Sequence, residues 1–247
     1  MPPTSGDALT IVFAKAPRAG EVKTRLIPLL GAEGAAALHR QLTHRTLVTA
    51  MEADRGPVEL HGAPDANDAF LKDCARRFAI ALVPQRGDNL GARLCNAFDD
   101  GLARHSRVII IGTDCPVLTT HHLHGVQAAL AGGDDAVLIP AEDGGYALIG
   151  LTRCANHLFE NIPWGSDAVL AITRERLQAL HWRWHEMETL WDIDRTEDYR
   201  RWSELCLANE DHHVAYAVAC HAGSIKHGRR CVNGANRYRS GRVVFVT

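Results

Sequence analysis

Three short segments place charged side chains directly after apolar runs, where a β-strand would end. The first, Phe13 to Leu26, reads FAKAPRAGEVKTRL and sets Lys15, Arg18, Lys23 and Arg25 against a single acid, Glu21. Phosphate groups bind where cations neutralise their charge and a glycine lets backbone N–H groups approach, so Lys15, Gly20, Lys23 and Arg25 are candidate nucleotide-phosphate contacts. Neither a P-loop nor a G-x-G-x-x-G fingerprint is present, and a solvated basic loop is the competing reading. The second segment, IIIGTDCPVLT, carries Asp114 immediately after an apolar run, with Pro116 stopping the strand. Thr119 or Thr120 is the better helix cap, which leaves Asp114 available to hold a divalent cation alongside substrate phosphates. In the third, LWDIDRTEDY, Asp192 and Asp194 lie two apart on an extended stretch and share a face, so either could complete a metal site with Asp114. Capping competes here too, because Asp194 and Glu197 have capping-box spacing.

A fourth segment, AEDGGYALIG, reads first as a tight Asp-Gly-Gly turn. Its functional reading is a surface on which Gly144, Gly145 and Tyr146 meet a sugar or ribose while Asp143 accepts from a hydroxyl.

The elements that must position these residues follow from periodicity. LTIVFA from Leu9, PVELHG from Pro57, AIALVP from Ala79, RVIIIG from Arg107 and DAVLIP from Asp135 are mostly continuous in apolarity, as strands covered on both faces are. Segments with apolar residues at helical spacing lie between them. This alternation predicts a single α/β domain, a mostly parallel sheet with helices on both faces and ligands at the carboxyl ends of strands. YALIGL from Tyr146 follows DGG closely enough to predict a hairpin, making the sheet mixed. A helix over Asp167–Leu180, a strand near WRWHEME and a helix from Thr196 complete the predicted core.

Composition excludes several partners. Lys plus Arg number 27 and Asp plus Glu 29 in 247 residues, a net charge of −2 that gives no general field for nucleic acid or anionic membrane. No apolar run approaches the roughly 20 residues of a membrane helix, and the cytoplasm is the expected compartment. Seven cysteines at irregular spacing read as reduced, mostly structural thiols. The composition changes after about Leu207: His212 to Thr247 contains no acid but six Lys or Arg and four His. Domain boundaries are therefore placed at 9–206 for the α/β domain and 207–247 for a basic extension, read as a loosely docked appendage. Cys206, His212, His213, Cys220, His221, His227 and Cys231 offer zinc ligands there, without a C-x-x-C or H-x-x-x-H pair to set up tetrahedral ligation.

Taken in order, FAKAPRAGEVKTRL, QRGDNLGARL, GTDCPVLT, EDGGYALIGL, PWGSDAVL and DIDRTEDY resemble the GT-A-like transferases called rSAM/selenodomain-associated transferase 1, a group of glycosyltransferases. The chain is more distantly similar to 2-phospho-lactate guanylyltransferase and molybdenum cofactor guanylyltransferase. The resemblance covers about residues 9–205. It implies a nucleotide-diphospho-sugar transferase fold, phosphates on the first loop, Mg²⁺ or Mn²⁺ on Asp114 with help from the DIDRTED acids, and Asp88, Leu90, Gly91 and Arg93 near the base or ribose. It also implies that Trp164 to Asp167 lie near the second substrate. Where glycosyltransferases of this fold commonly carry D-x-D, Gly112 stands two residues before Asp114, and the first loop lacks the G-x-G-x-R of sugar nucleotidyltransferases.

Three functions stay open at this point. A glycosyltransferase would use the cations and metal on the departing nucleoside diphosphate and a carboxylate as base, with Asp143 the best placed. A nucleotidyltransferase would need Lys23, Arg25 and metal but little base catalysis. A non-catalytic binder of nucleotides or sugar phosphates would not need paired metal ligands. The expected partners are a nucleotide or nucleotide-sugar donor and a small-molecule acceptor.

Overall fold

A computed structural model describes residues 8–54 and 56–208; the basic segment from residue 209 onward, with the zinc candidates expected there, lies outside the described residues. Seven strands form one sheet: β1 (Ala8–Lys15), β2 (Val58–Ala63), β3 (Ala81–Pro84), β4 (Arg107–Ile111), β5 (Ala136–Pro140), β6 (Tyr146–Leu151) and β7 (Trp184–Glu186). Their order is β3-β2-β1-β4-β6-β5-β7, and only β6 runs antiparallel to its neighbours. The hairpin expected at Asp-Gly-Gly joins β5 to β6 and makes the sheet mixed.

The apolar runs are continuous because alternate residues serve opposite faces. In β4, Ile109 and Ile111 join Val12, Leu60, Val137 and Ile139 in one core layer. Helices α1 (Ile27–Glu52), α2 (Ala69–Phe78) and α4 (Thr120–Ala131) cover that face through residues such as Leu47, Leu71 and Leu123. Val108 and Ile110 face the other layer with Leu9, Ile11, Leu138 and Ile149. Helices α3 (Leu90–Leu102) and α5 (Val169–Ala179) cover it, with Leu94, Phe98, Leu170 and Leu177 fully or nearly buried.

A third cluster joins α1 to α6 (Thr196–Ala208): Leu26, Leu38 and Leu42 pack on Trp191, Ile193, Trp202 and Cys206. Cys206 is thus part of this core rather than of a tail, and α6 continues two residues past the expected boundary. The cluster holds the acid-bearing segment before α6 against the start of α1. Among the described residues no helix is long and apolar enough to cross a membrane.

Local caps follow the sequence closely. Thr119 caps α4 with a reciprocal capping box to His122, so Asp114 is free of that duty, as expected. Asp194 is not a cap: the Asp198 carboxylate accepts from the backbone N–H groups of Asp194 (3.1 Å) and Arg195 (2.7 Å).

Candidate active site

The sheet changes direction of growth between β1 and β4, and the candidate residues gather at the carboxyl ends of these two strands, where α/β sheets bind ligands. Lys23 sits in the left-handed region (φ 48) just before a 3-10 turn at Thr24–Leu26. Its Nζ reaches Asp114 Oδ1 at 2.7 Å and donates to the Ile193 carbonyl. The side chain is only 4% exposed. The sequence placed Lys23 on a phosphate-facing loop; the structure instead spends it inside, tying the first loop to β4 and to the segment before α6. An ammonium this deep requires such partners, because leaving it unpaired would cost several kcal/mol.

Arg25 differs. It is exposed and pairs with Asp194, also largely exposed. Pairs of this kind contribute about 0–1 kcal/mol, so Arg25 can exchange its partner for a phosphate at little cost. Lys15 is exposed at the end of β1, and its charge acts on both His39 and Asp114. Gly20 (φ +85) lies in open space within the loop, as a backbone that approaches a ligand must.

Asp114 is densely surrounded, yet 51% of its side chain is open to solvent. Desolvation alone would raise its pKa; the charge and hydrogen bond of Lys23 outweigh it and hold the carboxyl below its usual range. Asp114 is anchored through its backbone, whose carbonyl accepts from Ile193 N at 2.9 Å, and Arg45 Nε clasps the Pro116 carbonyl at 2.7 Å.

His39 was not visible from sequence. It lies in mid-helix among apolar residues, and nothing in its spacing marks it. Its Nε2 donates to the Lys15 carbonyl (3.1 Å), which makes Nδ1 the acceptor; that atom is buried, has no partner, and lies 3.9 Å from Asp114 Oδ1. Burial lowers its pKa more than Asp114 raises it, so the ring is neutral.

Asp192 has the opposite character to Asp114. Burial first, then the charges of Asp114 and Asp143, push its pKa up to about 7, and its Oδ1 is buried without a partner. It lines a cavity of about 200 Å³ together with Gly112, Asp143 and Gly145 and the apolar side chains of Phe13, Leu90, Leu94, Tyr146 and Trp164. An acidic end and an aromatic-aliphatic wall therefore share one cleft.

Leu90, expected near a base or ribose, and Tyr146 and Trp164, expected near a second substrate, line the same cleft; the tyrosine and tryptophan rings meet edge to face at 6.4 Å. Asp143 fulfils the turn reading, its Oδ1 accepting from Gly145 N at 2.9 Å, and also faces the cavity. Other candidates serve packing. A Cβ on Gly91 would collide with the Phe159 carbonyl, and one on Gly144 with the Asp167 backbone, so these glycines permit close approach of protein rather than ligand. Arg93 Nε braces the Gly87 carbonyl at 3.0 Å. Asp88 and Asp167 are exposed and do not form part of the cavity wall; Ser166 occupies it instead.

Asp192 and Asp194, either of which could complete a metal site with Asp114, do not both join it: among the described residues the three do not bring their ligand atoms within 4.8 Å of one another. Asp194 is turned to Arg25. Asp114 and Asp192 remain as hard oxygen donors, the Asp192 Oδ1 buried without a partner, and carboxylates of this kind could hold a hard divalent cation.

Residues 46–166 match the family model described as "Uncharacterized protein conserved in bacteria (DUF2064)". No curated protein matches the chain. Among solved structures, a Desulfovibrio desulfuricans G20 protein assigned to the nucleotide-diphospho-sugar transferases is 25% identical, with TM-score 0.74 over 81% of this chain and 88% of its own. A cytidylyltransferase from Leptospira borgpetersenii serovar Hardjo-bovis is 12% identical, with TM-score 0.56 over 90% of this chain and 99% of its own. A CMP:2-keto-3-deoxy-manno-octonic acid synthetase complexed with CTP is 10% identical, with TM-score 0.55 over 83% and 99%. The fold is that of the nucleotide-diphospho-sugar transferases, as the sequence implied.

Proposed function

We propose that this protein is a metal-dependent transferase that uses a nucleotide-activated donor, and that the reaction is glycosyl transfer from a nucleotide-diphospho-sugar. The observation that carries the reading is the arrangement at one cleft: Asp143 and Asp192 at one end, with the charge of Asp114 acting on Asp192, an apolar wall of Phe13, Leu90 and Trp164 at the other, and a buried Asp192 Oδ1 without a partner. A binding module has no use for acids that repel one another so strongly. The transferase class draws further support from the neighbouring fold of a nucleotide-diphospho-sugar transferase.

In this reading Asp114 and Asp192 hold Mg²⁺ or Mn²⁺, which would neutralise charge on the donor's phosphates. Lys15 and Arg25 face those phosphates, and Lys23 positions Asp114. Leu90 and Trp164 take the apolar face of a ring and keep water from the reacting carbon. Asp143, fixed by Gly145 N–H, accepts the proton of the attacking hydroxyl. The resemblance to the selenodomain-associated transferases and a cytoplasmic setting are consistent with this chemistry.

Nucleotidyl transfer is the second reading, favoured by the engagement of Asp143 with the Gly145 N–H and the low demand of that chemistry for a base. Incubation with panels of nucleoside triphosphates and nucleotide sugars, with Mg²⁺ or Mn²⁺, separates the two. Nucleoside diphosphate release from a nucleotide sugar is expected; pyrophosphate release from a triphosphate would replace glycosyl by nucleotidyl transfer. No turnover of either class by an enzyme that binds nucleotide would leave a binding module.

A further inference from the structure

Away from the cleft, α3 and the connection after β6 bring two thiols and a carboxylate together. Cys95 and Asp99 are four residues apart on α3 and so share a helical face. Cys154 lies in the connection between β6 and a short 3-10 turn at Asn156–Leu158. The sulfurs are 4.0 Å apart, Cys95 Sγ is 3.8 Å from Asp99 Oδ2, and it is 3.1 Å from Asn156 Oδ1. One ligand atom from each of Cys95, Asp99 and Cys154 lies within 4.8 Å of the other two.

These separations can be compared with a coordination tetrahedron. With Zn–S near 2.3 Å and Zn–O near 2.0 Å, a tetrahedral centre sets its ligand atoms about 3.8 Å apart for two sulfurs and about 3.5 Å for sulfur and oxygen. The two edges at Cys95 differ from these by only a few tenths of an ångström and the third lies within 4.8 Å, so a cation could enter with side-chain adjustments. The donor set is soft-to-borderline, which suits zinc and not the hard cation proposed for the cleft. Solvent reaches the cluster through a second cavity of about 320 Å³, lined by Cys95, Asn96, Asn156 and Glu160.

We propose that Cys95, Asp99 and Cys154 form a structural site for a zinc-class divalent cation, with the Asn156 amide oxygen or a water as fourth ligand. Its role follows from what it joins. Cys95 follows Leu94, which lines the cleft, and Asn156 opens the turn that leads to Phe159, stacked on Phe98 at 5.6 Å and packed over Gly91. Ligation would clamp the amino-terminal half of α3 to that turn and so fix the Leu90–Leu94 wall. The site requires no reaction of the cleft and stands whether that cleft transfers glycosyl or nucleotidyl groups.

The competing chemistry is a disulfide. Its two sulfurs would have to close from 4.0 Å to the roughly 2.05 Å of an S–S bond, whereas a cation would bridge them close to where they stand.

The test uses the full chain, freed of metal and kept reduced, titrated with Co²⁺ and then Zn²⁺. One equivalent of Co²⁺ should produce a thiolate-to-cobalt charge-transfer band that Zn²⁺ abolishes. The band should disappear in Cys95→Ser and in Cys154→Ser and persist in a Cys220→Ser, Cys231→Ser double variant. In the wild-type chain, Zn²⁺ should also protect Cys95 and Cys154 from alkylation, read by peptide mapping; this readout decides if a serine variant fails to fold. Absence of the band, its survival in the Cys95→Ser, Cys154→Ser double variant, or equal alkylation with and without Zn²⁺ would overturn the proposal. Loss of these two thiols to a disulfide on removing reductant, with no cobalt band, would overturn it in favour of redox chemistry.

Discussion

Asp192→Asn tests the acidic end of the cleft without presupposing a substrate. The carboxyl moves from an ordinary value of 3.8 to about 7 in the folded chain, chiefly through burial and then through Asp114 and Asp143. About three units correspond to roughly 4 kcal/mol, and an open cleft with partial solvation brings this to about 2 kcal/mol. The sign follows from linkage. Below about pH 4 the group is neutral in both folded and unfolded chains and costs nothing. As pH rises from about 4 to 7 the unfolded chain ionises freely while the folded chain resists, so stability falls, and the full cost is present above about pH 7. Asparagine keeps the volume and cannot ionise. The variant should therefore melt with the wild type near pH 4 and about 4–8 °C above it at pH 8, in chelator and without divalent ions. Adding Mg²⁺ or Mn²⁺ at about 100 times its dissociation constant should stabilise the wild type by about 2.7 kcal/mol and largely close that gap. A variant less stable than wild type at pH 8, or a difference independent of pH, would refute the view that Asp192 is held ionised against repulsion.

The two cations of the first loop should separate cleanly. Lys23→Ala should cost about 2–3 kcal/mol in a denaturant melt, because Asp114 loses its partner at a partly buried position. Arg25→Ala should change stability by less than about 1 kcal/mol, yet weaken nucleotide binding tenfold to hundredfold by calorimetry. Equal behaviour of the two variants would contradict the division of roles. Asp114→Asn should remove turnover and its divalent-ion dependence, since an amide cannot replace the carboxylate charge a hard cation prefers; activity unchanged at all metal concentrations would remove it from the site. Gly91→Ala should destabilise by about 1–3 kcal/mol through collision with the Phe159 carbonyl, whereas Leu90→Ala, one residue away and exposed at the cleft, should leave the melt almost unchanged and weaken donor binding.

Much of the architecture was legible in the sequence because it depends on local pattern. The buried runs at Val12, Ile109 and Val137 could only be strands covered on both sides, and helical spacing between them required βα alternation. The Asp-Gly-Gly turn announced the antiparallel β6. Thr119 declared itself a cap by its distance from α4, which by elimination pointed to Asp114. The roles of the charged residues were decided only by tertiary structure, because charge in a sequence has no direction. Lys23 and Arg25 look alike two residues apart, yet the left-handed backbone at Lys23 accompanies a side chain buried against Asp114 and the Ile193 carbonyl, while Arg25 stays in solvent. Asp192 and Asp194 share an extended segment and either could have completed a site with Asp114, but burial beside like charges separates one from the other, and Arg25 engages Asp194. Gly91 and Gly144 read as room for a ligand and serve as room for Phe159 and Asp167, a distinction set by neighbours 68 and 23 positions along the chain. His39, Cys95 and Cys154 carried no local signal, since only folding brings α1 under Asp114 and the β6 connection against α3. Sequence fixes what each side chain can do; the packing of distant segments fixes which of those capacities meet.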